Sequence, residues 1–281
     1  MISALPFVFA LLWASSYAGA KIGLADITPF AFVAVRLTIA AGAAAMLVHF
    51  LRRRWPDAGR WPHLLIGGAL VHGLALSMAH AALVTVDATP TALVHAFHPI
   101  ITAALGVVLL GEKFAWWQWL GVALGFLGVV LGVPLSLGTG NLALLGLSLF
   151  GLSAGTLYLK RFCPDVPAFE ATTVQLIGGA LFSVAVMLLF ETPHAHWTAA
   201  LLGAMAWNTF VMSIFGMAIY NFMLERHGAG RASAGFFVVP GASALIAWLT
   251  LGEHIAPLAI VGLVAATLGV ALVWWRPGAK N

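Results

Sequence analysis

Apolar runs of about twenty residues recur along nearly the whole chain, separated by short segments carrying proline, glycine and charge. A helix of that length, at about 1.5 Å per residue, crosses the roughly 30 Å hydrocarbon core of a bilayer. The runs and their breaker residues place ten spans at roughly 4–24, 29–50, 62–83, 89–110, 115–133, 141–161, 168–190, 197–222, 230–250 and 256–275. Pro29, Pro62, Pro167 and Pro257 fall at span starts, where a missing backbone N–H is harmless. Pro99 and Pro240 fall inside spans and predict a kink or local break in the fourth and ninth. The stretch ending in Ala18-Gly19-Ala20 mimics a signal-peptidase site, but it lacks a basic leader and its apolar run continues. It reads as the first span.

Composition agrees with this pattern and narrows it. Hydrophobic residues make up 62% of the chain and charged residues 8%, against roughly 25% charged in soluble domains. A soluble fold could not hide so much apolar surface, so the fold class is an all-α polytopic membrane protein. The single cysteine, Cys163, excludes an intramolecular disulfide framework and a thiolate metal site, and no cofactor or metal is expected. The sequence pI near 9.6 invites a nucleic-acid reading. The cations, however, lie in short connections between spans, so no nucleic-acid partner is expected.

Those cations set the topology. With the amino terminus inside, the inner segments hold eleven (Arg52, Arg53, Arg54, Arg60, Lys113, Lys160, Arg161, Arg226, Arg231, Arg276 and Lys280), whereas the outer segments hold only Lys21. So unequal a split puts both termini in the cytoplasm. The expected location is a bacterial inner membrane, with lipid as the surrounding partner and a monomer or weak homodimer as the assembly.

The sequence also repeats. A shift of 141 residues lays Pro99 on Pro240, Leu110-Gly111-Glu112 on Leu251-Gly252-Glu253, Gly121 on Gly262 and Gly128-Val129 on Gly269-Val270. A shift of 139 lays Lys21 on Lys160. Proline, glutamate and lysine are rare here, so their coincidence argues against chance. Two units follow, residues 1–137 and 138–281, each with five spans. Five is odd, so the units must cross in opposite directions, an inverted repeat of the kind that places a substrate site near the midplane.

The paired Pro…Leu-Gly-Glu segments, each followed by a glycine-spaced span, resemble the EamA-type members of the drug/metabolite transporter superfamily. So do Trp13-Ala14-Ser15-Ser16 and Arg36. Within that family the chain is most similar to the YddG-type amino-acid exporters. The resemblance covers essentially the whole chain. It implies ten helices, with spans 1, 3, 4, 6, 8 and 9 around a central cavity, spans 5 and 10 peripheral, and export as the direction of transport. Gly121-x-x-x-Gly125 and Gly128-x-x-x-Gly132 fit a packing face on span five, as glycines do in many membrane helices.

Cavity candidates come from polar and aromatic residues at helical spacing. Trp13, Ser16, Tyr17 and Lys21 share a face of span one; Thr91, His95, His98 and Thr102 share a face of span four. Ser77 and His80 lie on span three, Ser153, Thr156 and Lys160 on span six, Tyr220 and Asn221 on span eight, and Phe236 and Phe237 on span nine. Any single Ser or Thr can instead bond to its own helix backbone, and the histidines can serve as interhelical glue. Lys21 and Lys160 each end the first helix of a repeat, one at each mouth, as gates that attract a carboxylate or as lipid-snorkelling ends. Arg36 reads as structural, paired with a carbonyl or with an acid such as Asp26; Glu112 and Glu253 read as favouring the dipoles of span starts.

Other functions fit less well. Gly151-Leu152-Ser153-Ala154-Gly155 matches a nucleophile-elbow pattern, but the motif needs a strand-turn-helix context and this copy lies in an apolar helix. No catalytic residues are expected, and an intramembrane hydrolase is the remote alternative; a purely structural protein would leave the repeat and polar stripes unexplained. All nine acids fall at span ends or in connections, so a cationic-drug exporter would lack a buried counter-ion. Phosphorylated substrates would want several buried cations. What remains is transport of a small neutral or zwitterionic metabolite, with amino acids favoured by the resemblance.

Overall fold

The computed structural model describes residues 5–110, 114–132, 138–216, 219 and 239–275. The first span is Leu5–Gly23 and the second Pro29–Phe50. The third runs from Ala58 to Leu83, beginning as a short 3-10 turn and passing through a π-helical stretch at Ala69–Leu74. The fourth is broken into Ala88–Ala96 and His98–Leu110. Spans five, six and seven are Trp116–Gly132, Thr139–Phe162 and Ala168–Phe190. The eighth opens as α-helix Ala199–Ala206 and continues as π-helix Trp207–Gly216. Val239–Leu251 belongs to the ninth and Pro257–Trp274 to the tenth. Together these are the ten helices of two inverted five-helix repeats. Five stretches are long and apolar enough to cross a bilayer, and Trp116–Leu131, Val239–Leu251 and Pro257–Gly269 are shorter apolar helices.

The break in span four sits at Phe97, two residues before Pro99. Proline cannot donate to the carbonyl four residues back, and its ring clashes there. The chain responds with a tighter turn, Phe97 N–H to Val94 O at 3.1 Å. Pro240 is buried as the second residue of Val239–Leu251; the part of span nine that precedes it lies outside the described residues.

The largest contacts between spans are matched on exchanging each span with its counterpart in the other repeat. The fifth packs on the tenth, the second on the seventh and the fourth on the ninth. The third meets the sixth and seventh, and correspondingly the eighth meets the first and second. Glycine permits the close approach of spans five and ten: a Cβ at Gly128 would stand 2.6 Å from Gly262 O, and one at Gly269 2.6 Å from Gly121 O. The usual inside-out distribution of a soluble fold is reversed in size. Alanines crowd the interior, while Phe50, Val108, Trp116, Leu189 and Phe190 are exposed, as a lipid-facing surface requires.

Contacts between connections agree with ten crossings. On the face bearing the odd-numbered connections, Ile27 bridges Ala195, Thr28 N–H donates to His194 O at 3.1 Å, and Thr198 donates to Asp26. Thr85 donates to Asn141 there at 3.0 Å. On the face bearing the termini, Arg53 pairs with Glu170 at 3.2 Å and Arg60 reaches the Phe162 carbonyl. Each named contact joins connections that the count puts on one side.

Two carboxylates cap helices across the repeat boundary. Glu191 accepts from Ala31 N–H at 2.8 Å and Phe30 N–H at 3.2 Å, at the start of span two. Glu253 accepts from Ala88 N–H at 2.8 Å and from the amide and hydroxyl of Thr89 at 3.3 and 3.1 Å. The dipole that Glu253 serves is therefore that of span four, a correction to the expectation that it would serve its own neighbouring span. Orphan N–H groups at a helix start are open to any carboxylate that tertiary packing delivers, so sequence adjacency misleads here. Glu112 lies outside the described residues.

Candidate functional site

The polar residues of spans one, three, four and six meet in a directional chain. The Trp13 indole N–H donates to the Tyr17 hydroxyl at 3.4 Å, and that hydroxyl lies 2.9 Å from His95 Nδ1. His95 Nε2 is 2.7 Å from Ser148 Oγ, which donates to the Ala75 carbonyl at 2.7 Å. Because the Ser148 hydrogen is spent on that carbonyl, its oxygen must accept from Nε2–H. Nδ1 of a neutral imidazole is then an acceptor, and Tyr17 donates to it. The network assigns the tautomer. It also ties the first and fourth spans of one repeat to the sixth span of the other, about 10 Å below the odd-connection face at 1.5 Å per residue.

His98 extends the contact with span six. Its Nδ1 lies 3.1 Å from Ser153 Oγ and 3.2 Å from Thr102 Oγ1. His95 and His98 thus both reach span six, although the break at Phe97 separates them. Beneath them, toward the face bearing the termini, spans four and six line an open groove of about 550 Å³ that includes Ile101, Leu105, Leu149, Ser153, Tyr158 and Arg161. Ser153 sits within a continuous helix and supplies no strand-turn-helix elbow.

The remaining candidates are placed as follows. Ser16 donates to Trp13 O at 2.6 Å, Thr91 to Asp87 O at 3.0 Å and Thr156 to Leu152 O at 2.7 Å, each on its own helix or helix start. Ser77 faces Ser183 at 3.4 Å between spans three and seven. His80 is buried, stacks on Phe32 with centroids 5.3 Å apart, and holds Leu76 O through Nδ1 at 2.8 Å. Lys21 donates to Val86 O at 2.7 Å and to Asp87 Oδ1 at 3.0 Å, joining the end of span one to the connection before span four. Lys160 is exposed at the end of span six. Tyr220, Asn221, Phe236 and Phe237 lie outside the described residues.

Arg36 departs from expectation. Asp26 is engaged by Thr198, and the buried Arg36 guanidinium instead bonds two neutral groups of span eight: Nε to Ser213 Oγ at 3.2 Å and Nη1 to Asn208 Oδ1 at 3.1 Å. At its depth the acids in the connections are out of reach, while a mid-span amide and hydroxyl are at hand. Ser148, Asn208, Ser213 and Asp87 were not singled out by periodicity. An amide within an apolar span was the available signal for Asn208; for Ser148, which falls off the Ser153–Thr156 stripe, there was none.

The profile of the EamA-like transporter family matches residues 2–133 and again residues 139–275. The chain is 25% identical over 267 residues to a "Probable terminal-alkyne amino-acid exporter" of Streptantibioticus cattleyicolor, covering 93% of this chain and 89% of that protein. It is 24% identical over 300 residues to a "Probable amino-acid metabolite efflux pump" of Escherichia coli, covering 98% and 97%. The "Uncharacterized transporter YdfC" of Bacillus subtilis is 25% identical over 283 residues, covering 96% and 90%. A solved crystal structure shares the fold, with a TM-score of 0.69 at 18% identity over 96% of this chain and 95% of that one. With both halves matched and ten helices packed as two related sets, the chain is a multi-pass membrane protein that belongs to the EamA-like transporter family.

Proposed function

We propose that the protein exports small neutral or zwitterionic metabolites, amino acids including aromatic ones, by alternating access between its two repeats. The observation that carries this reading is the neutral chain from Tyr17 through His95 to Ser148, which joins spans of both repeats within the membrane core. Such a junction offers hydrogen bonds and aromatic faces without a fixed negative charge. Among the described residues the buried acids are Glu170 and Glu253, which lie at span ends and hold Arg53 and the start of span four. A cationic solute would find no midplane counter-ion among the described residues, which disfavours the multidrug alternative. The names of the distant relatives from Streptantibioticus and Escherichia support amino acids as the substrate class.

In this reading Lys21 and Lys160 guard opposite mouths, both termini are cytoplasmic, and the protein works in the inner membrane as a monomer or weak dimer. Rocking of one repeat against the other breaks and remakes the His95–Ser148 bond as span four moves against span six. The test is counterflow of labelled amino acids in liposomes without an imposed proton gradient. Saturable exchange of neutral amino acids is the expected result. Its absence for every amino acid, with movement of a cationic dye under a pH gradient, would establish the multidrug alternative instead.

A further inference from the structure

Arg36 is a buried charge that the fold orients without neutralising. A guanidinium within a membrane span is costly unless it is paired or meets a polar cavity. Its two partners are uncharged, and each is fixed by the span-eight backbone: Asn208 Nδ2 donates to Ala204 O at 3.1 Å and Ser213 Oγ donates to Asn208 O at 3.0 Å. These bonds take Nε and one donor of Nη1, so the planar fork is aimed while Nη2 has no partner among the described residues.

A second set of groups surrounds it. Phe32 lies one helical turn before Arg36 and stacks on His80. Since His80 gives its Nδ1 hydrogen to Leu76 O, the Nε2 of the neutral ring is an acceptor, and that buried atom has no partner. Thr209 Oγ1, next to Asn208, is likewise buried and unpartnered. Unused donors on Arg36 and an unused acceptor on His80 are what a zwitterion would satisfy.

The backbone supports the same location. Both π-helical stretches, Ala69–Leu74 and Trp207–Gly216, occupy matching places in the third span of each repeat. Arg36 addresses the second stretch; Gln175, at the equivalent place in span seven, sets its backbone carbonyl against Gly68 at the start of the first. Such π stretches are frequent at functional sites because they interrupt the regular ladder of backbone bonds.

We propose that Arg36 and His80 form the receptor for the two charged ends of the substrate, the guanidinium taking an α-carboxylate and the imidazole Nε2 accepting from an α-ammonium. This deepens the amino-acid reading and rests on it for the ammonium half; the carboxylate half stands on Arg36 alone. Charge-assisted, bidentate recognition is the role for which Arg is suited and Lys is a partial substitute.

The test uses the purified full-length protein and measures thermal stabilisation by phenylalanine, phenylalaninamide, N-acetylphenylalanine and sodium acetate, with sodium chloride as control. The wild type is expected to bind phenylalanine about tenfold or more tightly than either derivative, the scale of one lost charge-assisted contact. R36Q should abolish the preference for acid over amide and the response to acetate, R36K should retain part of both, and H80L should remove the preference for the free amine alone. A folded R36Q protein that still prefers acid to amide would overturn the proposal. Should R36Q fail to fold, equal wild-type binding of acid and amide would overturn it just as well. Acetate stabilisation that depends on Arg36, without a response to phenylalanine, would uphold the carboxylate site and defeat the amino-acid reading. Phenylalanine bound with no preference over its derivatives would defeat this proposal and leave that reading intact.

Discussion

The Tyr17 hydroxyl and His95 Nδ1, 78 positions apart in sequence and 2.9 Å apart in space, join the first span to the broken fourth. The direction of this bond is dictated from the far side, where Ser148 has already given its hydrogen to Ala75 O. An acceptor at one end and a donor at the other are therefore what position 95 must provide. Gln offers both, so H95Q should keep most transport, whereas H95L should lose it and destabilise the protein by about 1–3 kcal/mol through orphaned buried groups. Counterflow and thermal unfolding, measured together, check this. An H95L protein as active as H95Q would show the chain to be packing only.

Replacing both His95 and His98 by Gln separates binding from proton coupling. With no carboxylate at the midplane among the described residues, proton carriage falls to histidines, and His95 and His98 are the pair that span four carries toward span six. The expected outcome is a change in apparent affinity for amino acids larger than any change in the pH profile of counterflow. A flattened pH profile at unchanged affinity would instead identify them as the coupling pair.

Lys21 and Asp87 make an ion pair that is partly exposed, with side chains 24% and 60% accessible. Such a pair contributes about 0–1 kcal/mol. The second bond of Lys21, to Val86 O, survives loss of the acid. Transport should therefore fall more in K21A than in D87N, and K21R should remain near wild type. K160A, measured beside them with expression controlled, tests the other mouth. Normal transport in all four variants would mean that these lysines only anchor span ends.

How much of this could be read from the chain follows from the range of each interaction. Span number and the repeat are written in local periodicity and in rare residues, and both are found in the fold. The break in span four follows from Pro99, because the missing N–H is a local fact. The π stretches at Ala69–Leu74 and Trp207–Gly216 carry no proline, and nothing in their sequence distinguishes them from α-helix. Tertiary packing decides them. Similarly, the faces bearing His95 and His98 were legible but their partners on span six were not, since periodicity describes one helix at a time. Arg36 illustrates the limit: its rarity within a span was visible, while Asn208 and Ser213 lie 172 and 177 positions away.

Orientation has a direct check. In a Cys163→Ser background, Gly138→Cys should react with an impermeant thiol reagent from outside intact cells, and Gly59→Cys only after permeabilisation. Both sites are exposed, and a Cβ at either meets open space, so the fold tolerates the substitutions. The reverse labelling pattern would invert the membrane orientation and exchange the two proposed gates.

Close glycine contacts make the sharpest stability prediction. A Cβ at Gly68 would stand 2.0 Å from Gln175 O, and one at Gly178 2.2 Å from Leu65 O, so spans three and seven touch backbone to backbone at two levels. No rotamer change can relieve a clash with a carbonyl oxygen; the helices must separate. Gly68 directly precedes the π-helical stretch Ala69–Leu74, so a shift of span seven would disturb that stretch. G68A and G178A should each destabilise the protein by about 1–3 kcal/mol, as overpacking does. Gly140 and Gly146 have open space at the same position, so G140A and G146A serve as matched controls expected to unfold like wild type. Thermal unfolding in detergent measures all four. If the two pairs unfold alike, the backbone contact between spans three and seven is not what holds this part of the bundle together.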